Sequence, residues 1–520
     1  MRERGVGVGL SPTDIPADAQ VLGYSVELRP ASFGTTQTIY TAYVEDQISA
    51  GPRLNLTLGV RYDYDNLSKG GAASGDFNNV APRASFNYKL TGRAALRGGV
   101  GIFYDKILYS VYSDALAQNN TGADFKRQLQ YFVEKGILPA STNIDRVTYE
   151  GNLSVGGSNN AGVPIRYLQG PSAATFAGQR NLFSGERRIL NPNGYANPYT
   201  FQSTVGYQYQ VSDKMLFYAD VVYNESYNQF RTTNLNAPAA WDYNLSAQRG
   251  IARSTDAANL TRPLPIVNGT GTINGQVLTG VAQSVVMTED KGRSRYTALS
   301  VNLQKDRASD VYAYRLIYTL SRLYNDTEDI NFRAMDANNF GAEWGPSVND
   351  RRHIINGIFN YYVGQRLTAT VAALIQSGQP INRVPNGTSY VVVDQNLNPV
   401  LNGSGQRITS ADLNGDGTAF GDAYNGSTDR QPGESRNSDR LPWSKVIDVS
   451  LQYNLPIGAV SRRLEVRADV FNVFNTNNLS GYSNNATQSN QIQIGPANSG
   501  IVQRNAAPPR QFQFGVRYLF

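Results

Sequence analysis

The sequence predicts an all-β fold: an antiparallel transmembrane β-barrel with about 13–14 strands in this chain. Three observations carry that prediction. The last eleven residues, Arg510–Phe520, alternate, with Phe512, Phe514, Val516, Tyr518 and Phe520 on one side of an extended strand. Gln511, Gln513, Gly515 and Arg517 take the other side, and Leu519 is the one exception. Period-two alternation means a strand wet on one face and apolar on the other. The same alternation recurs in hairpins along the whole chain. Finally, no run of about 18 apolar residues exists, so a transmembrane helix is excluded.

Composition agrees. The 520 residues include 32 Tyr, 20 Phe and 49 Gly, only 17% charged residues, one His and no Cys. Mean hydropathy is −0.39, because half of every barrel strand faces water and masks the half that faces lipid. Without Cys there is no disulfide or thiolate metal site, which suits passage through an oxidising periplasm. The net charge of +6 is scattered rather than clustered, so a nucleic-acid-binding face is not expected. Met1–Leu10 lacks the apolar core of a signal peptide.

Taken in order, residues 1–36 form an N-terminal segment with one possible strand at 20–29, where Leu22, Tyr24, Val26 and Leu28 share a face. The barrel is expected over 37–520. Gln37–Ser49 alternates through Tyr40, Ala42, Val44 and Ile48, interrupted by Asp46. After Gly51-Pro52, Leu54, Leu56, Leu58, Val60, Tyr62 and Tyr64 make the cleanest strand in the chain. Further hairpins run from Ala84 to Tyr104, Phe201 to Tyr223, Leu299 to Leu320, Ile355 to Ile375 and Ile447 to Phe474. Their turns are short and rich in Gly, Asp or Pro, as tight turns require. Long loops are expected at 106–197, 231–292, 325–349, 378–444 and 476–507. Short turns at one end and long loops at the other is the asymmetry of outer-membrane barrels, with the long loops extracellular. Strands counted from Gln37 number thirteen, so both terminal strands run the same way. A genuine strand at 20–29 would make fourteen and permit antiparallel closure.

The segment Arg463-Leu-Glu-Val-Arg-Ala-Asp-Val-Phe-Asn-Val-Phe-Asn475 resembles the penultimate-strand signature of TonB-dependent outer-membrane receptors. Tyr43-Val-Glu-Asp-Gln47, Leu56-Thr-Leu-Gly-Val-Arg-Tyr-Asp63 and Ala81-Pro-Arg-Ala-Ser-Phe86 resemble mid-barrel motifs of the same family. Trp344-Gly-Pro-Ser347, Asp350-Arg-Arg-His353, Asp412–Gly417 and Asp429–Ser438 look like its Oar-like branch. The resemblance spans roughly residues 36–520. It implies a 22-stranded barrel with a plugged lumen, of which this chain is the C-terminal portion. No plug, regulatory-like domain or TonB-contact segment is visible at the front. The implied partners are outer-membrane lipid, an extracellular ligand of unknown identity, and the TonB complex acting through a plug absent from this chain. The implied function is ligand capture by the loops and energy-coupled uptake by the full-length protein. A self-contained passive pore of about 14 strands, or a surface adhesin or scaffold, are the rival readings.

No catalytic constellation is found. The lone His353 opens a strand and reads as a rim contact, so Ser-His and Cys-His systems have a single possible base. Asp412, Asn414 and Asp416 match positions one, three and five of a calcium loop, with Gly417 at the bend. Ala423 stands where the bidentate Glu belongs, so Asp422 or Asp429 would have to complete the site for a structural Ca²⁺. The competing reading is an Asx-rich turn whose carboxylates bond their own backbone. Trp344 and Trp443, with Tyr104, Tyr109, Tyr361 and Tyr362, either form interfacial girdles or pack within loops.

Overall fold

A computed structural model of the chain describes residues 35–117, 122–148, 186–418, 429–457, 463–478, 491–493 and 508–520. The possible strand at 20–29 lies outside them. Thirteen strands follow one another in chain order across a single antiparallel sheet. They are β1 (Ile39–Ala50), β2 (Leu54–Asp65), β3 (Val80–Lys89) and β4 (Ala94–Tyr104). Next come β5 (Tyr199–Ser212), β6 (Met215–Asn234), β7 (Ser284–Lys305) and β8 (Tyr312–Asn325). The sheet ends with β9 (His353–Val363), β10 (Leu367–Gln376), β11 (Ser444–Pro456), β12 (Arg463–Phe471) and β13 (Gln511–Leu519). Two short strands, Glu186–Ile189 and Gly345–Pro346, join it off this path. Among the described residues β1 and β13 are not paired with each other, so the sheet stays open.

Register carries the apolar face from strand to strand. Tyr314, Phe359, Val371, Val449, Val470 and Phe512 stand opposite one another in a continuous row across six strands. A one-residue slip would turn every one of these side chains to the wrong face. The face is exposed rather than packed: Phe359, Val371 and Phe512 of this row are exposed, as are Leu58, Val221, Leu316, Leu451 and Phe514 elsewhere on it. A soluble sheet would bury such a face; a barrel wall presents it to lipid.

The opposite face is polar and paired. Arg97 on β4 reaches across Gly206 to Asp220 on β6 with a 2.9 Å ion pair. A Cβ at Gly206 would lie 2.0 Å from Asp220 Oδ1, so the absence of a side chain there lets the two charges meet. Arg61–Asp63 and Arg467–Asp469 repeat the pattern within single strands.

β6 and β7 run 20 and 22 residues, about twice what a tilted strand needs to cross a bilayer. Their outer halves therefore project beyond the apolar band, and strand occupies part of the expected 231–292 loop. Alternation lapses there, with Arg231–Asn234 polar on both faces and Val285–Met287 apolar on both, which is why that stretch reads as loop in the sequence. The hydrophobic cores lie in the long connections rather than against the sheet. One gathers Phe125, Leu129 and Phe132 of the helix Ala123–Glu134 with Leu264, Ile273, Leu278 and Val285. A second joins Leu67, Ile107, Tyr112, Leu190, Tyr195 and Phe230.

If the apolar face meets lipid, Leu58→Arg should cost about 2–4 kcal/mol of folding free energy in vesicles, and Thr57→Arg on the inner face much less. Equal costs by denaturant titration would contradict the assignment.

Candidate functional site

The long connections fold into a roof over the end of the sheet, and arginines fasten it. Arg436 donates from Nε to the Glu343 carbonyl at 2.7 Å, from Nη1 to Glu328 Oε1 at 2.8 Å, and from Nη2 to both oxygens of Asn325. Its side chain and that of Glu328 are 3% and 1% exposed. Arg430 grips Glu343 through two bonds of 2.8 and 3.0 Å. Arg440 pairs with Asp350, whose other oxygen accepts the Leu323 amide at 2.8 Å. Arg231 binds Glu289 and Asp326 and lies 3.9 Å over the Phe340 ring. The Asp429–Ser438 and Trp344–His353 motifs are thus largely the two sides of one fastening between the 325–349 and 378–444 connections.

The Asp412 turn sits in this roof. Asp412 accepts the amides of Gly415 and Gly417 at 2.7 and 2.9 Å, and Asp416 accepts that of Thr418 at 2.7 Å. Asn414 accepts the Asp416 amide and donates to the Met335 carbonyl and the Tyr243 hydroxyl. These are the bonds of an Asx-rich turn, and they commit the Asn414 amide to its protein neighbours. Asp429 folds beside it, fully buried, with Oδ2 accepting the Leu413 amide at 2.7 Å. Its Oδ1 has no partner among the described residues. Burial and the nearby Asp416 and Asp412 push the Asp429 carboxyl well above the usual range. Burial and Asp412 push Asp416 up to about 7. Among the described residues no three His, Cys, Asp or Glu are grouped to hold a metal ion, and Asp422 lies outside those residues.

Beside this turn opens a cavity of about 80 Å³, open to solvent and lined by Trp241, Arg253, Arg262, Arg333, Met335 and Asp336, with Asn414 and Asp416 on one wall. The helix Tyr243–Arg249, capped by Asp242, and the strand Ile251–Arg253 position its floor. Ile251–Arg253 pairs in parallel with Val391–Val393, and Ala252, Tyr390 and Leu413 form the small core beneath.

His353 is a rim contact. Tyr318 Oη and His353 Nδ1 are 2.9 Å apart, and the imidazole stacks on exposed Trp443 at 5.6 Å. Trp443 therefore belongs to an outward aromatic row, whereas Trp344 is held between Tyr324 and Arg293. Tyr361 and Tyr312, with Tyr207, Tyr209 and Tyr518, form a second exposed aromatic row at the short-turn end.

Sequence reasoning missed the roof as a folded body, and with it Arg253, Arg262, Arg430 and Arg436. A usable signal existed for one part: Phe125, Gln128, Leu129 and Phe132 recur at helical spacing and are fully buried. The ion pairs left no local signal.

Arg436→Met should leave Glu328 buried without its partner and cost about 3–5 kcal/mol, and adding Glu328→Gln should recover part of that. Protease resistance of the roof reads both changes.

Residues 67–513 match the family described as outer membrane beta barrel domain. Residues 6–127 match TonB dependent receptor-like, beta-barrel. No curated protein matches the chain. Among solved structures, the outer membrane transporter YddB from Escherichia coli is similar at 12% identity and a TM-score of 0.49, with 93% of this chain and 45% of that one covered. A variant of the ferric enterobactin receptor PfeA from Pseudomonas aeruginosa is similar at 13% identity and a TM-score of 0.44, with the same coverage. The siderophore receptor PirA from Acinetobacter baumannii gives 13% and 0.42, with 85% of this chain and 42% of that one covered. The chain spans less than half the length of each of these proteins.

Proposed function

The chain belongs to the outer membrane beta barrel domain family, and we propose that it is the C-terminal barrel portion of an Oar-like TonB-dependent receptor. In this reading the long-connection end faces outward and its roof captures a ligand. A plug outside this chain, pulled by the TonB complex, then releases the ligand into the lumen. The open sheet of the described residues is the observation that carries the proposal. Thirteen antiparallel strands leave β1 and β13 pointing the same way. Nearly all residues of both strands are exposed, including Tyr43, on the inner face of β1, at 77%. Two unpaired edges in hydrocarbon would each leave a row of backbone groups unsatisfied at several kcal/mol apiece. Antiparallel closure requires an odd number of further strands, and about nine would complete the 22 of plugged transporters.

The test is electrical. The purified chain in planar bilayers should give no steady open-pore conductance, because the thirteen strands of the described residues cannot close on themselves in antiparallel fashion. A stable ohmic channel would instead establish a self-contained pore.

Calcium at the Asp412–Asp416 turn is proposed on the sequence spacing, with Asp422 or the buried Asp429 as the additional ligand. Millimolar Ca²⁺ should protect the 412–429 segment from protease where Mg²⁺ does not. Identical digestion with and without Ca²⁺ would retire the site and leave the Asx turn.

A further inference from the structure

Most arginines buried in the roof have carboxylate partners, but Arg253 and Arg262 do not. They are 8% and 3% exposed, and among the described residues every bond they make goes to a neutral acceptor. Arg253 donates from Nε to the Asn414 carbonyl at 2.5 Å and from Nη1 to that of Ala239 at 2.9 Å. Arg262 donates from Nε to Asn259 Oδ1 at 2.7 Å and from Nη1 to the Asn236 carbonyl at 2.6 Å, with a longer bond to Gln283. Among the described residues the Nη2 of each donates to no protein group, and both side chains line the cavity. Arg333 on the same wall differs, because Glu186 already holds it at 2.5 Å.

Two near-buried cations within each other's field, neither in an ion pair, are costly. Burial lowers the Arg262 guanidinium to about 10. The carboxylate that faces both is Asp416, which acts on them through its field and forms no ion pair with either. Asp336 also lines the cavity, and its field and that of Asp412 reach Arg253. The bonds to neutral carbonyls fix both guanidinium planes and leave the Nη2 group of each for an incoming acceptor. Guanidinium edges suit planar carboxylate and tetrahedral phosphate oxygens.

We propose that this cavity is an oxyanion-binding subsite in which Arg253 and Arg262 hold a carboxylate or phosphate group of the ligand, beside the Trp241 indole. The proposal rests on the reading of the roof as the ligand-capturing surface, and it adds the chemical class of the group captured. The indole is fixed by its own bond from Nε1 to Ser246 Oγ at 2.8 Å and lies 5.5 Å from the Arg253 guanidinium. An arriving anion would therefore change the surroundings of Trp241 directly.

Trp fluorescence of the purified full chain, titrated at constant ionic strength with inorganic phosphate in one arm and citrate in the other, tests this. The expected result is a saturable change in at least one arm, absent in Trp241→Phe, with the stronger arm identifying phosphate or carboxylate as the preferred group. Arg262→Gln and Arg253→Gln should each weaken that response by about tenfold or more. Arg262→Lys, which keeps the charge, should fall in between. Each variant is checked for an unchanged roof digestion pattern, and Arg262→Lys serves where a Gln variant does not fold. A linear response in both arms, or variants that bind as tightly as the parent, would overturn the subsite. The conductance measurement is independent: a conducting chain that still shows Arg262-dependent binding would keep the subsite and remove the receptor reading.

Discussion

Everything in this molecule follows from the need to pair backbone N–H and C=O groups in a medium without water. Hydrocarbon offers no alternative partner, so a strand crossing it must be hydrogen-bonded along both edges. The twelve neighbour pairings of the sheet meet that condition everywhere except at the free sides of β1 and β13. Pairing also fixes which face each residue takes. Once β2 is in register with β1, Val60 stands opposite Val44 and Arg61 opposite Tyr43. The apolar face is then outside by necessity, and the cores that a soluble protein would place against its sheet are found in the roof.

The roof faces a different constraint. It stands beyond the apolar band on the long ends of β6 and β7, and its interior must hold together segments separated by about a hundred residues. It uses charge as well as apolar packing. Arg436 and Glu328 lie 108 positions apart in sequence, and Arg430 and Glu343 lie 87 apart. The Arg436 guanidinium spends its donors on Glu343, Glu328 and Asn325 at once, which a Lys could not do with the same geometry. Buried pairs of this kind fix arrangement more than they add stability, because the desolvation of both ions offsets much of their attraction.

Where that pattern is incomplete, the roof differs chemically. Arg253 and Arg262 have the burial of structural arginines and the partners of none. Asp429, on the far side of the same turn, has a buried oxygen without a donor among the described residues. The 412–417 turn thus lies between the cavity, to whose wall it contributes Asp416, and the buried Asp429, and backbone amides take up the charge of Asp412 and part of that of Asp416.

The sequence by itself determined the strands. Alternation has a period of two residues, so Leu54–Tyr64 or Phe512–Phe520 declares its apolar side without reference to any other segment. Turn residues then fixed the pairing within six hairpins, and the thirteen strands of the sheet were all legible. The reach of β6 and β7 beyond the membrane was not, because Arg231–Asn234 is polar on both faces and Val285–Met287 apolar on both, so neither stretch alternates. Nor was the turn chemistry of Asn414, whose amide is taken by Met335 and Tyr243 from distant loops. Only the tertiary structure decided which arginines are paired and which are left facing a cavity. An ion pair between residues 108 apart leaves no periodic trace in either segment, and an unpaired charge is defined by what fails to arrive beside it.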